Sequence, residues 1–383
     1  MNAKNADLEV QVSLKKMKNK ALTGNEAAAE AMRQINPDVV AAYPITPSTQ
    51  IMQKFADFHA DGLVNTELIR VESEHSALSA CVGASAAGAR TITATSSAGL
   101  ALMWEILGVA SGLRLPIVMD VVNRALSSPL NIHCDHSDSM GCRDHGWIQI
   151  YSENAQEVYY NTILGVRLAE KVSIPVMIMQ DGFVISHGVE GVKVLDDAKV
   201  KKFLGKYNPK YNLLRDNVTI GSLALPDSYF EIKKQQIDAM NNVKKEYLAV
   251  CKEMEKLTGE KFDLFEYKKD KTMFIVLNST AGILKEIGAG FLKLKLFRPF
   301  PYKEVREVLK DCENVIVLDK SVSYGADAPL FSEIKNTLHG TNVKLHSCIF
   351  GLGGRDIYEE DIENILKRLK DNKLGELEYI GLK

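Results

Sequence analysis

The sequence predicts an α/β protein: a doubly wound parallel sheet, then a smaller unit of the same class. Three observations point there. Nearly continuous apolar runs such as LPIVMDVV and IPVMIMQ are too short for helices and too apolar for one-sided strands. Amphipathic helical stretches alternate with these runs, as βαβ connections require. After a charged stretch near residues 229–257, the alternation resumes with TMFIVLN and VIVLD.

The elements follow in order. Residues 1–21 read as an N-terminal arm carrying the basic patch LKKMKNK. Thr23 and Glu26 have capping-box spacing, so AAAEAMRQI is a helix. VVAAYPI is a buried strand, and Ile51, Met52, Phe55 and Phe58 recur at helical spacing after it. LIRVE is a strand, HSALSACVGASAAGA a helix of small residues, and RTITATS a strand. AGLALMWEILGVASG is then one helix and LPIVMDVV a strand. A long polar loop leads to WIQIYS, the helix NAQEVYYNTILGVRLAEK and the strand IPVMIMQ. This sets a first domain at 22–194, a connecting segment with one long charged helix at 195–261, and a second domain at 262–383.

Bulk properties narrow the function. The 383 residues are 46% hydrophobic and 25% charged, enough for a sizeable core. Lys and Arg number 47 against 49 Asp and Glu, a balance that offers no general attraction to nucleic acid or membrane surfaces. No apolar run approaches about 18 residues, so a cytoplasmic protein is expected. The cysteines, Cys81, Cys134, Cys142, Cys251, Cys312 and Cys348, form no CxxC pair, so zinc-ribbon and iron–sulfur signatures are missing. Also missing are a GxxxxGK[ST] loop, a GxSxG elbow and a Gly-Asp-Gly metal–diphosphate motif.

Four stretches carry the chemistry. In AAYPITPSTQI, Thr46 followed by Pro47 reads either as a helix cap or as a hydroxyl offered to a ligand at a strand end. In RVESEHSALSACVGASAAGAR, Glu74 complements a helix dipole or serves a site beside small residues. In VNRALSSPLNIHCDHSDSMGCRDHGW, Arg124 follows a buried strand, a costly place for a guanidinium without an anion or carboxylate to meet it. That loop also holds His133, Cys134, Asp135, His136, Asp138, Cys142, Asp144 and His145. Their spacing fits no familiar zinc signature, which favours a substrate-facing loop over a metal site. IFGLGGRDIYEEDI lacks the third glycine of a dinucleotide fingerprint; Asp356 and Glu359 instead have capping-box spacing.

Together these stretches resemble the α subunit of heteromeric 2-oxoacid:ferredoxin oxidoreductases of the pyruvate type. The matching motifs are YPITPST, VESEHSALSACVGASAAGART, ATSSAGLALMWE, NRALSSPLNIHCDHSD, QDGFVISH, LKLFRPFP, VLDKSVSYG and GLGGRD, in the family's order from about residue 21. LNSTAG and the 200–260 segment depart from the family pattern. The resemblance implies that the first domain is the pyrimidine-binding half of a thiamine diphosphate site and that the second is transketolase C-terminal-like. It implies Glu74 as the cofactor-activating glutamate, Ser97 as a further cofactor contact, and Thr46 and Arg124 as substrate contacts. No metal is expected on this chain. Mg2+ and the diphosphate belong to a β subunit, 4Fe-4S clusters to β and a ferredoxin-like δ subunit, and a γ subunit completes the assembly. The implied reaction is the CoA-dependent oxidative decarboxylation of pyruvate to acetyl-CoA and CO2, reversible, with electrons passed to ferredoxin. A branched-chain (2-oxoisovalerate) or other 2-oxoacid oxidoreductase and a non-catalytic scaffold relative are the alternatives.

Overall fold

The computed structural model describes residues 17–383. The first 16 residues, most of the expected arm, lie outside them. Lys18–Thr23, which starts inside the span read as arm and runs past it, is a strand paired antiparallel with Val189–Val194. Thr23 then caps the helix Gly24–Ile35 reciprocally with Glu26, as the spacing predicts.

Seven strands form the larger sheet, in the order Leu296–Arg298, Ile148–Tyr151, Val176–Asp181, Val118–Asn123, Thr91–Thr95, Val39–Ala42 and Glu67–Arg70. All pairings are parallel except that of Leu296–Arg298 with Ile148–Tyr151. The central strands Val118–Asn123 and Val176–Asp181 are buried throughout, which explains their unbroken apolar character. Helices Gly24–Ile35 and Ala155–Val172 cover one face, and the 30-residue helix Tyr229–Thr258 packs on the latter through Val243, Tyr247, Val250 and Met254. The single helix expected over 98–112 divides into Ser97–Leu102 and Trp104–Gly112 at Met103.

The smaller sheet runs Leu377–Tyr379, Lys344–Ile349, Asn314–Asp319, Thr272–Val276, Phe291–Leu294 and Phe265–Lys268, with only the last antiparallel. The stretch KLKLFRPFP serves both sheets. Phe291–Leu294 pairs within the smaller one, and Leu296–Arg298 crosses to the edge of the larger one. One hydrophobic core accordingly spans the junction, with Met119, Trp147 and Tyr151 packed with Ile275, Phe297 and Val315. The carboxyl ends of the two parallel sheets meet across this junction, where Asp181 touches Asn278, Ser279 and Lys320. Among the described residues, no helix is long and apolar enough to cross a membrane.

The candidate active site at the carboxyl edge of the larger sheet

Strand ends bring the predicted residues to one edge. Thr46 follows Val39–Ala42, Glu74 opens the helix after Glu67–Arg70, Ser97 opens the helix after Thr91–Thr95, and Arg124 follows Val118–Asn123. Ligands of open parallel sheets bind at such edges.

Thr46 is not a helix cap. The chain turns over Ile45–Ser48, closed by the Ser48 N–H donating to the Ile45 carbonyl at 2.8 Å, and the helix begins after Ser48. The turn takes Thr46 out of the capping position. Its hydroxyl is exposed and makes no hydrogen bond among the described residues, while its carbonyl accepts from Arg124 Nη1 at 2.9 Å. Asn25, fully buried at the start of the first helix, donates to the Pro47 carbonyl at 2.8 Å and steadies the turn.

Arg124 is 7% exposed. Backbone carbonyls, not a carboxylate, meet its guanidinium: Thr46 O at Nη1 and Asn131 O at Nε, both at 2.9 Å. Its Nη2 has no hydrogen bond among the described residues. A guanidinium so held presents that nitrogen as a donor for an incoming anion.

Glu74 is 6% exposed, at the start of the helix Glu74–Ala86, and Ser73 caps that helix by accepting from the Ser76 N–H at 3.2 Å. No donor reaches the Glu74 carboxyl group among the described residues. It packs against Gly99, where a Cβ would lie 2.6 Å from both Glu74 Oε1 and Thr95 Oγ1. Glycine is required at 99 for the carboxyl group to fit. A carboxyl group left without a protein partner at a sheet edge is free to accept from a ligand's donor.

Ser97 lies in the left-handed region at φ 46°, a conformation that costs a non-glycine residue about 1–3 kcal/mol. Two bonds hold it there: its hydroxyl donates to the Ala125 carbonyl at 2.5 Å, and its N–H donates to Asp138 Oδ2 at 3.0 Å. The same Asp138 oxygen accepts the Arg124 N–H at 3.0 Å. Asp138 therefore ties the Ser97 and Arg124 backbones together, with Asn123 Nδ2 on its other oxygen at 2.8 Å. Burial pushes its carboxyl group up to about 6, partly offset by the hydrogen bonds from Asn123, Arg124, Ser97 and Ser139. Sequence reasoning placed Asp138 in the polar loop without assigning it a role.

Part of the polar loop folds inward, while His133 and Asp144 stay exposed. Cys134, Asp135, His136 and Asp138 are buried, and Cys134, His136 and Asp181 converge closely enough to resemble a metal-ligand set. The cation at that point is Lys320, whose Nζ sits 2.9 Å from Asp181. His136 Nε2 lies 2.8 Å from Asp181, Asn278 Nδ2 donates at 2.9 Å, and the Ser279 hydroxyl adds a further bond. Burial alone would raise the Asp181 carboxyl group; the Lys320 charge and His136 overcome it and hold it well below the usual carboxylate range. The expected Asp356–Glu359 cap is also displaced. The last helix starts at Glu359, and the Tyr358 N–H donates to Asp361 at 2.9 Å.

With this geometry in place, comparison with known proteins defines the class. Residues 30–252 match the family model for the pyruvate flavodoxin/ferredoxin oxidoreductase thiamine diphosphate-binding domain, and residues 279–362 match pyruvate:ferredoxin oxidoreductase core domain II. The chain belongs to this family of oxidoreductases and has its thiamine diphosphate-binding α/β fold.

Among its relatives, it is 51% identical to the pyruvate synthase subunit PorA of Thermotoga maritima, over 95% of this chain and 98% of the relative. It is 43% identical to PorA of Methanocaldococcus jannaschii, over the same shares of each chain. The ketoisovalerate oxidoreductase subunit VorA of Pyrococcus horikoshii is 40% identical, over 95% of this chain and 98% of the relative. The fold also matches a solved 2-oxoglutarate:ferredoxin oxidoreductase from Magnetococcus marinus, with a TM-score of 0.72 at 20% identity, over 91% of this chain and 65% of that one.

The residues present fit thiamine diphosphate. An unpartnered buried carboxyl group at Glu74, beside a cradle that a Cβ at Gly99 would fill, suits an aminopyrimidine ring nitrogen. The sequence carries no Gly-Asp-Gly motif for holding a diphosphate-bound cation.

Proposed function

We propose that this chain is the α subunit of a pyruvate synthase and forms one wall of a thiamine diphosphate site completed by a β subunit. One observation carries the reading. Thr46 and Arg124, directly bonded, stand on the sheet edge that also presents the unpartnered carboxyl group of Glu74. The cofactor, when bound, supplies the electron sink that allows the bond between the carboxylate and carbonyl carbons of a 2-oxoacid to break.

This chain's residues bind and orient. Glu74 shares a proton between its carboxyl oxygen and the pyrimidine ring nitrogen, and Gly99 leaves room for that geometry. Ser97, held in its left-handed conformation, shapes the wall beside it. Arg124 Nη2 receives the oxoacid carboxylate, with the guanidinium fixed through Nε and Nη1. The Thr46 hydroxyl, not used for capping, donates to a carboxylate or carbonyl oxygen of the substrate. Mg2+ and the 4Fe-4S clusters sit on β and ferredoxin-like δ subunits, with γ completing a cytoplasmic assembly that passes electrons to ferredoxin and the acyl group to coenzyme A. Support comes from this chain's lack of CxxC pairs. It comes also from the exposed Leu102 and Trp104 close to Gly99, large apolar side chains of the kind that partner surfaces cover.

Pyruvate is favoured over 2-oxoisovalerate because identity to pyruvate synthase subunits runs from 40 to 51%, against 39–40% for ketoisovalerate subunits. The test is an assay of the complex reconstituted with its partner subunits, using coenzyme A and a low-potential acceptor. We expect kcat/KM for pyruvate to exceed that for 2-oxoisovalerate by about 10-fold or more, the range a pocket achieves for added methylenes. The reverse order would overturn the pyruvate assignment.

A further inference from the structure

The Gly-rich turn of the second domain, IFGLGGRD, resembles a nucleotide loop and lacks its third glycine. Its surroundings show another use. Gly351, Gly353 and Gly354 all have positive φ, at 65°, 61° and 82°. The turn lies directly on the loop that follows Arg124. Gly353 O accepts from Asn131 Nδ2 at 3.0 Å, and the Gly353 N–H donates to Asp135 Oδ2 at 3.2 Å. A Cβ at Gly354 would lie 2.3 Å from His133 Cβ, and one at Gly353 would lie 2.5 Å from Asn131 Nδ2. Only glycine permits this approach at both positions.

The residues so gripped are those that hold Arg124. The Asn131 carbonyl accepts from Arg124 Nε at 2.9 Å, and the His133 carbonyl accepts the Ala125 N–H at 3.0 Å. Asn131 Oδ1 accepts the His133 N–H at 2.6 Å, so one side chain fastens the loop to itself and to the turn. Asp135 Oδ1 accepts the Ser137 N–H at 3.0 Å, and the Ser137 hydroxyl accepts the Leu126 N–H at 2.9 Å.

We propose that the Gly351–Gly354 turn is a clamp on the Arg124 loop, with Asn131 as a positioning residue through which the second domain sets the affinity for the oxoacid carboxylate. The proposal rests on the reading of Arg124 as the carboxylate contact. The second domain then contributes to substrate recognition without touching substrate, by fixing the carbonyl that orients the guanidinium. Guanidinium recognition is directional, so small rotations about that carbonyl weaken the fit.

The test uses the complex reconstituted with partner subunits, with Asn131→Asp and Arg124→Met made singly and together. Asn131→Asp keeps the acceptor for the His133 N–H and replaces the donor to Gly353 with an oxygen. We expect the oxoacid KM to rise about 5- to 10-fold, as for the loss of one hydrogen bond. We expect kcat, the coenzyme A KM and the thermal midpoint to stay near wild type, a split that a general folding defect would not give. In the Arg124→Met background the same substitution adds less than about twofold, because coupled residues are not additive. Gly354→Ala, pressing on His133 from the other side, raises the same KM and provides a second route to the answer. An unchanged KM in Arg124→Met sinks the carboxylate reading and the clamp with it. A raised KM there, beside an unchanged one in both Asn131→Asp and Gly354→Ala, sinks the clamp alone, as does full additivity in the double variant.

Discussion

The carboxyl edges of the two parallel sheets occupy the same place in their domains and are used in opposite ways. On the larger sheet, the edge leaves hydrogen-bonding capacity unspent: the Thr46 hydroxyl, Arg124 Nη2 and the Glu74 carboxyl group have no protein partner among the described residues. On the smaller sheet, much of the edge is engaged within the chain, although Asn278 Oδ1 and Thr280 Oγ1 stay unpartnered among the described residues. Asp319 Oδ2 accepts the Leu330 and Phe331 N–H groups, Lys320 pairs with Asp181, Asn278 donates to Asp181, and Gly353 engages Asn131 and Asp135. The second edge works as a brace for the first.

The brace can be broken most severely at Lys320. In Lys320→Met, Asp181 keeps its hydrogen bonds but loses the only cationic lysine or arginine paired with it among the described residues. An uncompensated buried charge costs about 3–5 kcal/mol, read as a lower denaturant midpoint of the isolated chain. Because the folded pKa of Asp181 is depressed, its stabilising contribution is present above the ordinary carboxylate pKa of about 4 and is lost as pH falls through the lower folded value. The variant should lose this resistance to acid. An unaltered acid transition would contradict the pairing.

A second experiment separates an edge from the core behind it. Asp120 lies mid-strand, fully buried, accepting from Thr162 at 2.9 Å with its other oxygen unpartnered. Burial pushes its carboxyl group up to about 7, partly offset by the Thr162 hydrogen bond. A raised folded pKa means stability is greatest below about pH 4 and declines as pH rises toward 7. Asp120→Asn removes that dependence. Its stability advantage over wild type should grow by on the order of 4 kcal/mol between pH 4 and pH 8, measured by chemical denaturation. A gap that does not widen with pH would place Asp120 in an ordinary ionised state.

The smallest effect is expected at the open edge itself. Thr46→Val keeps the carbonyl that receives Arg124 and removes only the exposed hydroxyl. The oxoacid KM should rise about fivefold, equivalent to one hydrogen bond, with stability unchanged. A loss of stability would mean that the hydroxyl serves the turn rather than a ligand.

Much of this was legible in the sequence where the signal is local. Thr23 and Glu26 announced their helix, and Val118–Asn123 and Val176–Asp181 announced themselves as buried strands. The candidate residues Thr46, Glu74 and Arg124 stood out at strand ends, and Ser97 came from the family resemblance. What escaped depends on partners distant in sequence. Asp181 and Lys320 are separated by 139 positions, and neither has a local mark of its pairing. Leu296–Arg298 has the same apolar character as Phe291–Leu294, and nothing in that pattern says which sheet receives it. Thr46 misled as a cap because a hydroxyl before proline looks the same whether a helix or a turn follows.

The account rests on Glu74, the one buried carboxyl group at the open edge that lacks a protein partner among the described residues. Its direct test is turnover of the reconstituted complex carrying Glu74→Gln, with pyruvate, coenzyme A and thiamine diphosphate at saturation. We expect kcat to fall about 10²-fold or more, as when a proton-sharing group is lost, with subunit assembly intact. Turnover equal to wild type would contradict the assignment of this edge as the active site.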